Sequence, residues 1–297
     1  MIKVIVTGAN GQLGQTLRRE LPKAGYENVT YIDVDDLDIT DEEAVMRYFG
    51  EHPCSILINC AAYTAVDRAE EEYITAFEIN GMGAMKLAQA AKEYGFKMIH
   101  ISTDYVFSGD NLVPYKEDDL HIEAERLEGP RTIYGRSKLM GEFAVALMIP
   151  LHHVVIRTSW LYSEYGHNFF KTMLRKAQEG ENVRVVADQM GCPTYAGDLA
   201  HAIISIMNSE TWYPGTYHYS NSGVTSWYEF AASIYQLAGK DPCNVHPIAT
   251  EDYPTEAERP RYSALDTSKI RETYHVDCPD WHESLKSMEL DYINKWN

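Results

Sequence analysis

Residues 2–21, IKVIVTGANGQLGQTLRREL, read as a strand, a glycine turn and a helix in immediate succession. Ile2–Val6 is a short apolar, β-branched run of the kind buried in a parallel sheet. Gly8, Gly11 and Gly14 follow in G-x-x-G-x-x-G spacing, with Asn10, Gln12 and Leu13 between them, and Gln15–Leu21 continues as a helix. Without Cβ atoms, backbone amides and a helix N-terminus can approach a pyrophosphate closely. A plain packing turn has the same glycines, but the strand before and the helix after favour phosphate binding. No Gly-Lys-Ser/Thr closes the loop, so it is not a nucleoside-triphosphate P-loop.

Working outward, a second strand over Val29–Ile32 ends in Asp33, placed to accept hydrogen bonds from adenosine ribose hydroxyls. The stretch from Asp33 to Asp38 carries no Lys or Arg and would repel a 2′-phosphate, which leans toward NADH. SILINC (55–60) is a third buried strand, with Ala61, Ala62 and Tyr63 at its carboxyl end. A helical region spans 73–94 with an interruption near Asn80-Gly81; Asn80 there is either a structural hydrogen-bonder or a contact to the proton-relay region. KMIHIS (97–102) is a fourth strand, and 106–129 is an irregular acidic stretch suited to a loop over the site. A helix over 134–148 and a strand over 152–157 lead to Thr158-Ser-Trp160. This alternation predicts an α/β fold: a doubly wound, Rossmann-like parallel sheet with right-handed crossovers.

Beyond Trp160 the alternation weakens. Helices are expected at 168–179, 197–207, 227–238 and 281–296, strands at 183–186 and 216–219, and turns at 188–194. The expected division is a dinucleotide-binding domain over 1–158, carrying the helix at 134–148, and a smaller α/β substrate lobe over 159–297. Some elements of the second half should return to the first.

Tyr134 and Lys138 stand at i and i+4, so on a helix they share a face. A phenol is a weak acid with a reference pKa of about 10, and a neighbouring ammonium favours its ionised form. Thr103, at the end of a strand, can hydrogen-bond a reacting oxygen. Together they can move a proton on or off a carbinol or carbonyl oxygen while a hydride moves elsewhere.

Composition narrows the partners. A net charge of −18 argues against nucleic acid or an anionic membrane surface. No apolar run reaches transmembrane length, and Ile2–Val6 is too short for a signal peptide. Five scattered cysteines without a C-x-x-C pair suit reduced thiols, so a cytoplasmic protein is expected.

The glycine loop, Asn59-Cys-Ala-Ala62, Ser102-Thr-Asp104 and Tyr134-x-x-x-Lys138 resemble the extended short-chain dehydrogenase/reductases. More narrowly, CAAYTAVDRAE (60–70), HISTDYVFSGD (100–110), YGRSKLMGE (134–142), RTSWLY (157–162), VVADQMGCPTY (185–195) and ERPRYSALDTSKI (258–270) resemble the dTDP-4-dehydrorhamnose reductase family, in collinear order over the whole chain. The resemblance implies hydride transfer from NADPH or NADH to the C4 ketone of a dTDP-sugar. It implies Thr103, Asp104, Tyr134 and Lys138 as catalytic residues, and Thr103, Asp104, Tyr105 and Trp160 against the substrate. It assigns the cofactor to Gly8, Asn10, Gly11, Gln12, Leu13, Gly14, Asp33, Asp38, Ile39, Ala61, Ala62, Tyr63, Tyr134 and Lys138. Some members bridge a homodimer through magnesium held by an acidic residue; the matching position here is Thr16, so no metal is expected. A sugar-nucleotide dehydratase needs a second carboxylate after the threonine-aspartate pair, where this chain has Tyr105. An epimerase with tightly held nucleotide, or a non-catalytic subunit resembling the beta subunit of methionine adenosyltransferase, are the remaining alternatives.

Overall fold

The computed structural model describes residues 2–120, 122–123, 126–127 and 129–292. In chain order the first half runs β1 (Val4–Thr7), α1 (Gln12–Lys23), β2 (Val29–Ile32), α2 (Glu42–Glu51), β3 (Ile56–Asn59), α3 (Val66–Glu71), α4 (Tyr73–Phe77), α5 (Ala84–Tyr94) and β4 (Lys97–Thr103). The two-residue strands β5 (Ile122–Glu123) and β6 (Arg126–Leu127), α6 (Ile133–Met148) and β7 (His153–Thr158) complete it. The second half contains β8 (Leu161–Tyr162), α7 (Phe169–Glu179), β9 (Val183–Val186), β10 (Met190–Gly191), β11 (Thr194–Tyr195) and α8 (Ala196–Asn208). It closes with β12 (Gly215–His218), β13 (Thr225–Ser226), α9 (Trp227–Leu237), β14 (Val245–Ile248), α10 (Ser268–Tyr274) and α11 (Trp281–Tyr292). The expected closing helix is thus described to Tyr292; its last four residues, like parts of the acidic 106–129 stretch, lie outside the described residues.

Six strands form one parallel sheet in the order β2-β1-β3-β4-β7-β12. Helices cover both faces, which is why β1, β3 and β7 are buried at every position and read as continuous apolar runs. Val4, Val6, Ile56 and Ile58 pack with Leu13, Leu17 and Leu21 of α1, Leu199 and Ile203 of α8, and Ile270 of α10. The alternate residues Ile5 and Leu57 pack with Phe49 of α2, Leu87 and Ala91 of α5, and Val145 of α6. The chain steps from β1 outward to β2 and then returns to the other side of β1 at β3. That reversal opens a crevice at the carboxyl ends of the strands, where open α/β sheets bind ligands. A separate core in the second half gathers Tyr162, Phe170, Leu174, Phe230, Ile234 and Trp281, while α8, β12 and α10 return to the main sheet.

Two buried features fix α6 relative to this sheet. The interruption expected near Asn80-Gly81 is a π-helical turn, Glu78–Gly83, between α4 and α5. There Asn80 is buried; its Oδ1 accepts the Tyr63 N–H at 2.8 Å, and its Nδ2 donates to the Tyr63 carbonyl and to Ser137 Oγ at 3.0 Å. Of the two roles open for Asn80, these bonds describe a structural one. A Cβ at Gly141 would lie 2.2 Å from the Asn80 carbonyl oxygen, so glycine there lets α6 approach the turn. On the other side of α6, Glu142 receives Arg157 of β7, Nη2 to Oε2 at 2.7 Å and Nε to Oε1 at 3.0 Å. Both side chains are almost fully buried, 5% and 3% exposed. Arg157 Nη1 also donates to the Glu117 carbonyl at 3.2 Å, anchoring the acidic loop.

Candidate active site

The crevice has a volume of about 1020 Å³ and runs from the turn after β1, past the ends of β3 and β4, to the loops after β7. Gly8, Asn10, Gly11, Gln12, Leu13 and Gly14 line one end, with Asp33, Asp38 and Ile39 beside them. Gly8 sits at φ +65°, and a Cβ there would lie 2.5 Å from the Ala61 nitrogen; one at Gly14 would lie 2.4 Å from the Gly8 carbonyl oxygen. The turn is therefore packed to backbone contact. Gly11 is the extended N-cap of α1, so the helix begins at Gln12, earlier than the periodicity predicts.

Several of these residues are already engaged by the protein. Asp33 Oδ2 accepts the Asn10 N–H at 2.8 Å and Oδ1 the Val34 N–H at 2.9 Å, which ties the acidic stretch to the glycine turn. The Gln12 side chain turns toward the second half of the chain: its Oε1 accepts from Ser163 Oγ at 3.0 Å and Asn168 Nδ2 at 2.7 Å. Tyr63 is the one expected cofactor residue outside the crevice lining, although Ala61, Ala62 and Thr64 are in it. Its main chain is held by Asn80 and its hydroxyl donates to Glu72 at 2.7 Å. The Thr16 hydroxyl donates to the Gln12 carbonyl at 2.8 Å, within α1.

Thr103, Asp104, Tyr105, Tyr134 and Lys138 meet at the floor. Two local signals seat Tyr134: Thr132 caps α6 by accepting the Gly135 N–H at 3.0 Å, and Glu70 accepts the Ile133 N–H at 2.9 Å. Gly135 is required because a Cβ would lie 2.1 Å from the Tyr105 carbonyl oxygen. The Tyr134 ring then meets Tyr105 edge to face, centroids 5.5 Å apart. Burial holds the Tyr134 phenol above its ordinary range, the Thr103 hydroxyl pulls it partly back, and the Asp104 charge raises it further. Lys138 is buried with Nζ donating to the Ile101 carbonyl at 2.7 Å, and burial brings it down to about 8. The sequence leads one to expect Lys138 to lower the Tyr134 phenol; instead it is raised, with desolvation the largest cause for both groups.

Asp104 is buried; its Oδ1 accepts from Thr103 Oγ1 at 3.0 Å. Burial pushes its carboxyl up to about 6, with the Ser263 and Thr103 hydroxyls offsetting part of the shift. Because the pKa is higher folded than unfolded, the native state holds an extra proton between about pH 4 and 6, and stability falls as pH rises through that window. Asp104→Asn is expected to abolish that slope and to raise stability at pH 7 by about 2–3 kcal/mol. Denaturant titrations of wild type and variant at pH 4, 5, 6 and 7 measure both, and a stability difference between the two that does not grow from pH 4 to 6 would sink the assignment.

Sequence reasoning missed Trp227 and Arg259, which also line the crevice. Arg259 donates from Nη1 to the Tyr105 hydroxyl at 3.0 Å and from Nη2 to Asp67 at 2.5 Å. Nothing local distinguishes it from the other arginines of the tail. Trp227 follows a Ser226/Glu229 capping box, which predicts a helix start but no site.

The fold agrees with the comparisons. In solved structures, the chain is similar to dTDP-4-dehydrorhamnose reductase from Bacillus anthracis str. Ames in complex with NADP, with TM-score 0.90 and 41% identity, covering 98% of this chain and 100% of that one. Among curated proteins it is 43% identical to the spore coat polysaccharide biosynthesis protein SpsK of Bacillus subtilis, covering 96% of each. It is 40% identical to dTDP-4-dehydrorhamnose reductase of Aggregatibacter actinomycetemcomitans, covering 97% of this chain and 98% of the relative. The profile described as RmlD substrate binding domain matches residues 2–293, and the chain belongs to that family.

Proposed function

We propose that this chain reduces the C4 ketone of dTDP-4-dehydro-L-rhamnose with NADPH or NADH, giving dTDP-L-rhamnose. The observation that carries this is one crevice joining a close-packed glycine turn at a helix N-terminus to the half-buried Tyr134 and the buried Thr103 and Lys138. The bare backbone at Gly8, Gly11 and Gly14 fits a pyrophosphate, and Asp33, Asp38 and Ile39 fit an adenosine alongside. The relative solved with NADP supports the phosphorylated form, while the acidic 33–38 stretch supports tolerance of NADH.

A reduced nicotinamide, when bound, supplies the hydride for C4. Tyr134, kept protonated by burial, gives its proton to the C4 oxygen as the carbonyl becomes an alcohol. Thr103 hydrogen-bonds that oxygen, and Lys138, fixed by the Ile101 carbonyl, holds the nicotinamide ribose and helps return a proton to Tyr134. Asp104 and Tyr105 line the sugar side with Trp160.

We assign residues 1–158 to the cofactor and residues 159–297 mostly to the sugar nucleotide, on the strength of the separate second-half core. Among the described residues no helix is long and apolar enough to cross a membrane. All five cysteines are free, which supports a cytoplasmic setting. A homodimer is the assembly we favour, supported by exposed Phe143, Leu147 and Leu151 on and just after α6, and sedimentation checks it.

Protein mixed with dTDP-4-dehydro-L-rhamnose and either NADPH or NADH should consume reduced nicotinamide with at least one of them. No loss of absorbance with either would end the proposal.

A further inference from the structure

The glycine turn after β1 is held in place from the far half of the chain. Gln12 opens α1 and borders the crevice, so its N–H is among those the helix leaves without an internal partner. Its side chain is taken by the loop between β8 and α7: Oε1 accepts from Ser163 Oγ at 3.0 Å and from Asn168 Nδ2 at 2.7 Å. Both donors are buried. The Asn168 amide cannot be turned round. Its Oδ1 caps α7 by accepting the Lys171 N–H at 2.9 Å, which leaves Nδ2 to donate to Gln12 and to the Ser163 carbonyl at 2.8 Å.

The same loop meets α1 twice more. Gly166, at φ +62°, lies so close that a Cβ there would stand 3.3 Å from Gln12 Cγ, and Glu164 pairs with Arg19 two turns along the helix. Gly166 and His167 border the crevice together with Gly11, Gln12 and Leu13. The loop over 163–168 is therefore a wall of the crevice at its glycine-turn end, although it belongs to the half we assign to the sugar nucleotide. We infer that Asn168 and Ser163 are positioning residues for the dinucleotide: by fixing the Gln12 side chain they set where the first amides of α1 stand for the pyrophosphate. This rests on the cofactor reading of the glycine turn given above. Capping α7 is the competing role for Asn168, and the two differ in effect. A cap acts on the stability of α7, whereas the clasp acts on one ligand at one end of the crevice.

Asn168→Ser separates them, because serine caps a helix about as well as asparagine but has no amide to give Gln12. It should raise KM for NADPH about three- to tenfold, the scale of one hydrogen bond lost, and leave KM for dTDP-4-dehydro-L-rhamnose within about twofold. ADP-ribose keeps the pyrophosphate and lacks the nicotinamide, so as a competitive inhibitor it should weaken by the same factor. Ser163→Ala leaves the α7 cap intact and should move the same two constants in the same direction; it carries the test if Asn168→Ser fails to fold. The inference is overturned if KM for NADPH is unchanged, or if the KM values of cofactor and sugar nucleotide rise in parallel. It is also overturned if NADPH weakens while ADP-ribose does not, which would put the effect at the nicotinamide. A wild type that uses NADPH or NADH while the variants match it overturns only the clasp. A wild type that binds neither dinucleotide ends the cofactor reading as well.

Discussion

Tyr134→Phe is expected to lower kcat by roughly 10²–10⁴-fold, the range for losing a positioned general acid. The substitution removes one oxygen and keeps the ring that meets Tyr105 edge to face, so the fold and the crevice should survive. Thr103 can still hydrogen-bond the substrate oxygen but is itself bonded to Asp104, and has no acidic proton to deliver at neutral pH. Burial keeps the Tyr134 phenol protonated throughout the neutral range, so its loss cannot be compensated by changing pH between 6 and 8. KM for NADPH should change far less than kcat, because the glycine turn and Asp33 are untouched. Single-turnover rates with excess enzyme separate chemistry from product release, and a rate within threefold of wild type would refute the assignment of Tyr134 as the acid.

Glu142→Ala is expected to destabilise the protein by about 3–5 kcal/mol, the cost of leaving a buried charge without its partner. Arg157 has nowhere to go. It is enclosed between α6, the Glu117 carbonyl and His218, whose Nε2 is 3.4 Å from Nη1. His218 cannot replace the lost anion, since imidazole is neutral or cationic, and burial and Arg157 itself both hold it neutral. Against a typical total of 5–15 kcal/mol, such a loss should be plain in denaturant midpoints. The double replacement Glu142→Met, Arg157→Leu should recover most of it by substituting packing for the pair. If the single change costs under 1 kcal/mol, the arginine has found water and the pair is not the anchor described.

Legibility followed sequence distance. Gly8, Gly11, Gly14, Asp33 and the Tyr134–Lys138 spacing are local signals, and each lies on the crevice. Thr103 was readable because a strand end delivers it. Tyr63 falls outside the crevice lining, its main chain held by the Asn80 side chain from another helix. Trp227 and Arg259 reach the crevice only through tertiary folding from beyond residue 200, with no spacing to announce them. The i, i+4 geometry of Tyr134 and Lys138 is visible in a sequence, whereas the burial that raises the phenol and lowers the ammonium is a property of the packed molecule.

The sixth strand carries a consequence for biosynthesis. β12 pairs with β7 across an interval in which α7, α8 and several short strands must first be made. Until residues 215–218 leave the ribosome, β7, buried on both faces in the finished protein, presents an open hydrogen-bonding edge. Closing so distant a pairing is slow, and nascent or truncated chains ending near residue 158 would be sticky intermediates in need of a chaperone. The half we assign to the cofactor is therefore incomplete as a sheet until residues 215–218 of the other half arrive.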